Sequence, residues 1–440
     1  MQTRQLLALA ALLFLISLSA RAQNRTASIP SPSAVTEQEP LSLQQCIELA
    51  LRQASPLQQA KTEEAIAREE VSQARAALLP RFDYINSYIH TSPLPGLPGV
   101  PSFIPANGIN EYVNLLTVTQ EVDMFGRQRY NLRKAEAEKL ASGARSQIAE
   151  RQLRLAVKEA YYGLLLAQWN RRIAERALEE ADSFLKLTQL LQEKGEAAKA
   201  DVLRAEIARS IRKQERDKAE AQQVSAENDL KSLIGRQMTD ELKIVDLFDH
   251  APEKIDFSQF TEAMIRRRPE FSLFAASESS LLQQARLART ERRPQVSYSF
   301  SFGFDDSRFL LTHRGLAVTI SIRIPLFEWG ISKSRERQAS LRMQQVELER
   351  EMANRQFLSQ YYSSRRASEL AQERIREAQE NVRRATASLD LSKKRYQAGE
   401  ATILEVVDSQ NSKAAAELAY IAALFDYYIA QSRLEIATGR

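Results

Sequence analysis

Proline and glycine are scarce in this chain of 440 residues, at 14 and 13. No proline falls between Pro105 and Pro252, and none follows Pro325. Stretches of that length without the main helix breaker exclude ordinary turn-rich domains and predict long helices. Cysteine is scarcer still. Cys46 stands alone, so no intrachain disulfide can form. Gln45 before it is not small and lies far from any apolar leader, which favours a buried helix cysteine over a lipidated one. Long apolar runs are missing too: after residue 22 nothing approaches the roughly 18 residues of a helical membrane span. The three histidines, His90, His250 and His313, are isolated from one another. HExxH, GxSxG and Walker patterns are absent, so no enzyme chemistry, cofactor or metal is expected. Charge of one sign is also lacking: 61 basic against 56 acidic residues leave +5. Arginine interleaved with glutamate reads as solvated helix faces, which argues against a nucleic-acid surface.

What is present begins with a leader. Arg4 precedes the apolar run Leu6 to Leu18, and Ala20-Arg21-Ala22 supplies small residues for cleavage. Residues 1–22 are therefore expected to be a secretory signal, removed after Ala22. Residues 23–40, polar and with three prolines, are expected to be a flexible lead-in. From Ser42, a helix cap, the pattern is helical to Leu79, before Pro80. Further helices are expected from Arg127 to about Glu193, Ala200 to Ile234, Ser258 to Arg292, and from Gly330 to Gly439 with one break at Gly399.

Four short segments alternate with a period of two. They lie in a pair at 81–122, parted by a five-proline loop, and a pair at 295–325. In "VSYSFSFGF", Val296, Tyr298, Phe300, Phe302 and Phe304 share one face. In "GLAVTISIRIP", Val318, Ile320 and Ile322 do so. The opposite faces are serine, threonine or charged. The whole plan recurs: Gly126 and Gly330, Gly195 and Gly399, Gly235 and Gly439 are each 204 residues apart. An internal duplication is expected, with repeats at 41–235 and 258–440 and a connector at 236–257.

Strands of about ten residues with one apolar face have the length and alternation of outer-membrane barrel staves. The expected fold is mainly α, with four membrane strands per chain. Four strands cannot close a barrel, and unpaired edges in lipid are costly. Two copies would supply about eight strands around an interior filled by side chains, and three about twelve around a channel. The eight apolar residues just named would then face lipid. In the last helix a heptad seam is expected at Ala415, Leu418, Ala422, Phe425, Ile429, Ser432 and Ile436.

The motifs "LSLQQCIELAL", "RAALLP", "TQEVDMFGRQR", "SIRIPLFEWGISKSR" and "KKRYQAGEATILEVVDSQN", in that order and in duplicated halves, resemble the TolC family of outer-membrane efflux proteins. The resemblance implies a homotrimer with a shared barrel in the outer membrane and a helical tunnel in the periplasm. It implies a passive conduit joined to a periplasmic adaptor and an inner-membrane pump, for efflux or type I secretion. The turns at Gly195 and Gly399 would form the tunnel tip, in contact with the adaptor. Glu405 and Asp408 fall at acidic pore-lining positions, and Asp201 at an acidic link position. The arginine that partners this acid in the family corresponds to Ala401 here, leaving Lys199 or Arg204 as substitutes. A periplasmic coiled-coil adaptor is the competing reading. Such a protein would normally carry a lipoyl-like module and a single helical hairpin, and neither pattern is found.

Overall fold

The computed structural model describes residues 40–101, 108–250, 252–309 and 314–439. The expected signal segment, most of the lead-in and His313 lie outside the described residues.

The chain opens with α1 (Leu43–Arg52), where Ser42 and Gln45 form a reciprocal capping box. The single helix expected up to Leu79 is in fact two. Pro56 cannot donate to the preceding turn, so the chain breaks at residues 53–55 and restarts as α2 (Pro56–Ala76). Strand β1 (Arg81–His90) follows. The proline loop is not featureless: it holds a small hairpin of β2 (Pro93–Leu94) and β3 (Leu97–Pro101). Strand β4 (Asn110–Val122) then leads into α3 (Arg127–Glu193), and after the turn α4 (Lys199–Ile234) returns.

The second half departs from expectation at its start. A helix from Ser258 is replaced by two 3₁₀ turns, Phe257–Gln259 and Glu262–Arg267, and α5 begins only at Pro269. Here too proline sets the boundary, as the first residue of a helix. Helix α5 (Pro269–Thr290) feeds β5 (Gln295–Asp306) and β6 (Gly315–Arg323). Asp305 and Asp306 end β5. Helices α6 (Ile331–Gln397) and α7 (Ile403–Ala437) complete the chain.

Helices α3 and α6 have 67 residues each, offset by 204 positions. At a rise of ~1.5 Å per residue each is about 100 Å long. Both start at a left-handed glycine, Gly126 (φ +79°) and Gly330 (φ +80°). Where α3 begins, the Asp123 carboxylate accepts the backbone N–H groups of Gln128 at 3.0 Å and Arg129 at 3.2 Å, satisfying donors with no helical partner.

The main core sits midway along the helices. It joins α1, α3, α4 and α7 through Cys46, Val157, Tyr161, Leu165, Leu230 and Leu424, all fully or almost fully buried. The 236–257 segment is fastened to this level by aromatic side chains. The Tyr161 hydroxyl donates to the Val245 carbonyl at 2.7 Å, the Trp169 indole to Asp246 at 3.1 Å, and Tyr428 to the Leu247 carbonyl at 3.3 Å. Leu41 pairs with Ile244 as an isolated parallel bridge. Each bond answers a backbone or carboxylate group that irregular chain leaves without a ladder partner.

The expected α7 seam is displaced by one position near its start. Ala414, Ile421 and Leu424 are buried, while Ala415 and Leu418 are exposed. Ile429 and Ser432 are buried as expected, because α7 is covered on several sides at the core level.

Candidate functional site

The four long strands form one antiparallel sheet in the order β1-β4-β5-β6, so β1 and β6 are its edges. The register puts Phe82, Val118, Phe300 and Val318 in one row across the sheet. The next rows hold Tyr84, Leu116, Phe302 and Leu316, and Gln120, Tyr298 and Ile320. Since side chains alternate between faces, every expected lipid-facing residue lies on one face of a single sheet. The opposite face carries Asp83, Thr117, Thr119, Ser297, Ser299, Ser301, Thr319 and Ser321, and Thr117 and Ser301 hydroxyls bond at 3.0 Å.

Most of the apolar face is bare. Phe300, Phe302, Val318, Ile320 and Ile322 are exposed, and Val296 and Tyr298 are half-buried. Phe304 is the correction: it is 4% exposed. The chain turns back after Asp306, and the Phe309 ring meets Phe304 edge-on at 5.4 Å and Tyr112 at 5.8 Å. An aromatic cap closes that end of the face, so Phe304 is shielded by protein.

Between these residues, Gly303 (φ +151°) faces a close approach of β4. No helix among the described residues is long and apolar enough to cross a membrane.

At the far end of the long helices lie the two glycine turns. Gly195 (φ +78°) and Gly399 (φ +77°) are left-handed. In each turn the glycine N–H donates to the carbonyl three residues back and the next N–H to the carbonyl five back, at 3.0 and 2.8 Å in the first and 3.0 and 2.9 Å in the second. This is the helix-ending geometry that glycine permits. The two turns share one cluster, in which Phe184 and Ala205 meet Leu389, Tyr396, Ile403 and Val406, with the Phe184 and Tyr396 rings 5.3 Å apart. Burial pushes the Tyr396 phenol above its ordinary value; the Thr188 hydroxyl pulls it back and the Asp201 carboxylate pushes it further.

The three candidate acids have different surroundings. Glu405 is engaged at both oxygens. One accepts from the Thr402 N–H in a capping box at 3.5 Å, and the other from Arg395 Nη1 at 3.2 Å. Arg395 also donates to the Glu400 carbonyl at 3.2 Å. Asp408 is exposed and has no ion-pair partner among the described residues. Asp201 lies 3.7 Å from Arg204, three residues along the same helix. That pair lies within α4 and links no two helices, and Lys199 makes no ion pair with Asp201 among the described residues.

A feature missed in the sequence adjoins the tip. A groove of about 810 Å³ runs between α4 and α7. Ile207 and Ile211 line one wall, Leu404 and Leu418 the other, and all four are exposed. The signal was there: Leu203, Ile207 and Ile211 recur every four residues on an otherwise polar helix.

This arrangement matches known proteins. The chain is 24% identical over 400 residues to the alkaline protease secretion protein AprF of Pseudomonas aeruginosa, covering 89% of this chain and 83% of that one. It is 24% identical over 366 residues to the pyoverdine export outer membrane protein OpmQ of the same organism, covering 80% and 76%. The fold superposes on the outer membrane protein VceC of Vibrio cholerae with a TM-score of 0.78 at 20% identity, covering 90% of this chain and 96% of that one. The family model for the outer membrane efflux protein matches residues 46–236 and 261–440. With paired strands, twin long helices and matched glycine turns all inside those bounds, the chain belongs to the outer membrane efflux protein family.

Proposed function

We propose that this chain is one protomer of a homotrimeric outer-membrane channel, a passive conduit from periplasm to exterior in a tripartite efflux or type I secretion system. The observation that carries the reading is the sheet. One face is mostly apolar and bare, the other mostly polar, and among the described residues neither edge, β1 nor β6, has a partner strand. In lipid such edges need pairing, and copies of the same sheet supply it by joining β6 of one to β1 of the next. Antiparallel order is preserved at that seam. Three sheets give about twelve strands, enough to enclose water rather than side chains.

The long helices would then extend the duct into the periplasm, as two repeats, 41–235 and 258–440, joined by the 236–257 connector. Their tips would close or open the inner mouth, lined by Glu405 and Asp408, with Asp201 on the neighbouring hairpin. The groove between α4 and α7 suits an amphipathic helix of an adaptor, whose own partner would be an inner-membrane pump. A passive duct of this kind needs neither cofactor nor active site. A periplasmic adaptor would leave the bare apolar sheet in water, an arrangement that exposes a large patch to aggregation.

The test is the native mass of the protein extracted from outer membranes in mild detergent. A trimer is expected. A monomer that is soluble without detergent would refute the reading.

A further inference from the structure

One end of the sheet carries a charge that the channel reading does not use. Four segments enter or leave the sheet there: 75–83, 121–134, 289–293 and 323–337. They meet directly. Arg289 and Arg292 both pair with Glu336, Arg335 pairs with Glu291 at 2.8 Å, and the Gln120 side chain donates to the Leu78 carbonyl at 3.2 Å. Together they hold thirteen basic and six acidic residues, an excess of +7, whereas the whole chain carries +5. The opposite end of the molecule is balanced: segments 193–204 and 393–408 hold six of each sign. The two ends of the molecule therefore differ in charge, and the basic one is this junction. Arg293, Arg323, Lys333 and Arg337 are exposed there and have no carboxylate partner among the described residues.

A bare apolar cluster lies beside these charges. The exposed row of β6 continues past the strand end through Ile324 to Leu326, which is 92% exposed. The Phe327 and Trp329 rings meet edge-to-face at 4.3 Å, and Trp329 is 86% exposed. Trp329 also has φ +51°, a left-handed conformation found at no other non-glycine residue described. A bulky side chain there is strained, and in water its exposure adds nothing to offset the strain. Its counterpart 204 residues earlier is Phe125, again directly before a left-handed glycine, with the Arg293 guanidinium 5.8 Å from its ring centre. The second repeat thus sets aromatic rings and unpaired cations at one level, just beyond the apolar sheet, and the first repeat adds the Phe125 ring beside Arg293.

We propose that this junction binds anionic phospholipid headgroups. Trp329 and Phe327 seat at the boundary between hydrocarbon and headgroup, where an aromatic ring is apolar on one side and wet on the other. Arg293, Arg323, Lys333 and Arg337 engage the phosphates beside it. Continuity with the apolar sheet face and the local sign of charge select a lipid surface over a protein or a nucleic acid. The inference rests on the channel reading, since it needs the sheet in a bilayer.

The test titrates the detergent-purified full chain with phosphatidylglycerol and with phosphatidylcholine of matched acyl chains, read by native mass spectrometry. Each cation near an anionic surface is worth about fivefold in occupancy. Phosphatidylglycerol should be retained at least ~10-fold more than phosphatidylcholine by the wild type. The combined variant Arg293→Gln, Lys333→Gln, Arg337→Gln should lose that preference. Trp329→Gly, which suits the left-handed backbone, should keep the oligomer and bind both lipids less. Lys333→Gln alone should give a smaller loss, and serves if the combined variant fails to assemble. Equal retention of the two lipids by the wild type, or an unchanged preference in the assembled variants, overturns the proposal. The same spectrum reports the oligomer. A trimer without lipid preference overturns this inference alone, and a monomer soluble without detergent overturns the channel reading beneath it.

Discussion

Gly303 offers a quantitative test of the strand pairing. A Cβ at this position would stand 1.8 Å from the Asn114 carbonyl oxygen and 3.0 Å from Leu115 Cα. A nonbonded carbon and oxygen need roughly 3.2 Å, so β4 and β5 must part by more than about 1 Å. The backbone at φ +151° adds strain for any side chain. β5 is an interior strand bonded on both sides, to β4 and β6, and has little freedom to move. Gly303→Ala is expected to cost about 3 kcal/mol per protomer, roughly 150-fold in the folding equilibrium. In an assembly the loss recurs in every copy. The readouts are the thermal midpoint in detergent and the amount of oligomer that survives unheated gel electrophoresis. Gly315→Ala is the control. Gly315 pairs with Gly303 across the sheet, yet a Cβ there meets nothing within 4 Å. If Gly303→Ala melts with the wild type, or Gly315→Ala falls as far, the close approach is wrong.

Two further outcomes follow from the ionic groups. Asp408→Asn should lower the cation selectivity of single channels more than Glu405→Gln, because Arg395 already offsets the Glu405 charge, and Arg395→Gln should raise it; reversal potentials in a salt gradient decide, and equal effects of the two acid variants would discredit the pairing argument. Glu270 sits between Arg268 and Arg151. Burial works to raise its carboxyl, but the hydrogen bond from Arg268 and the charges of both arginines outweigh it, leaving the carboxyl below its ordinary value. Its stabilising effect is therefore complete above the ordinary carboxylate range and is lost as pH falls through the lowered value. Glu270→Gln should cost about 2 kcal/mol at neutral pH, and its thermal midpoint should converge on the wild type in acid; a gap that stays constant with pH would contradict this.

Much of the fold was legible because the chain announces it at long range. Proline-free stretches and three glycine pairs at one spacing give both long helices to within a residue or two. The apolar face of the sheet was legible for the same reason: alternation is a local code. What failed was local punctuation and lateral packing. Pro56 and Pro269 lie inside apparently helical runs, yet each opens a helix of its own. Phe304 has the right parity for lipid, but Phe309, five residues on, covers it. No periodicity contains that contact. At the tip, sequence placed Glu405 and Asp408 alike, as two acids one turn apart. Only the fold distinguishes them, by bringing Arg395 across the turn to one and leaving the other bare. The groove of Ile207 and Ile211 went unread because its second wall is contributed by α7, two hundred residues away.

The equal length of α3 and α6 constrains how such a chain can change over generations. Inserting one residue into either helix would push its turn about 1.5 Å deeper and swing it by roughly 100°. Phe184 would then miss Tyr396, and the two turns would no longer end at one level. A lone insertion is a defect, but matching insertions in both halves, in whole helical repeats, would keep the faces aligned. The reach of the duct should therefore vary among descendants in paired steps, with the strands left untouched.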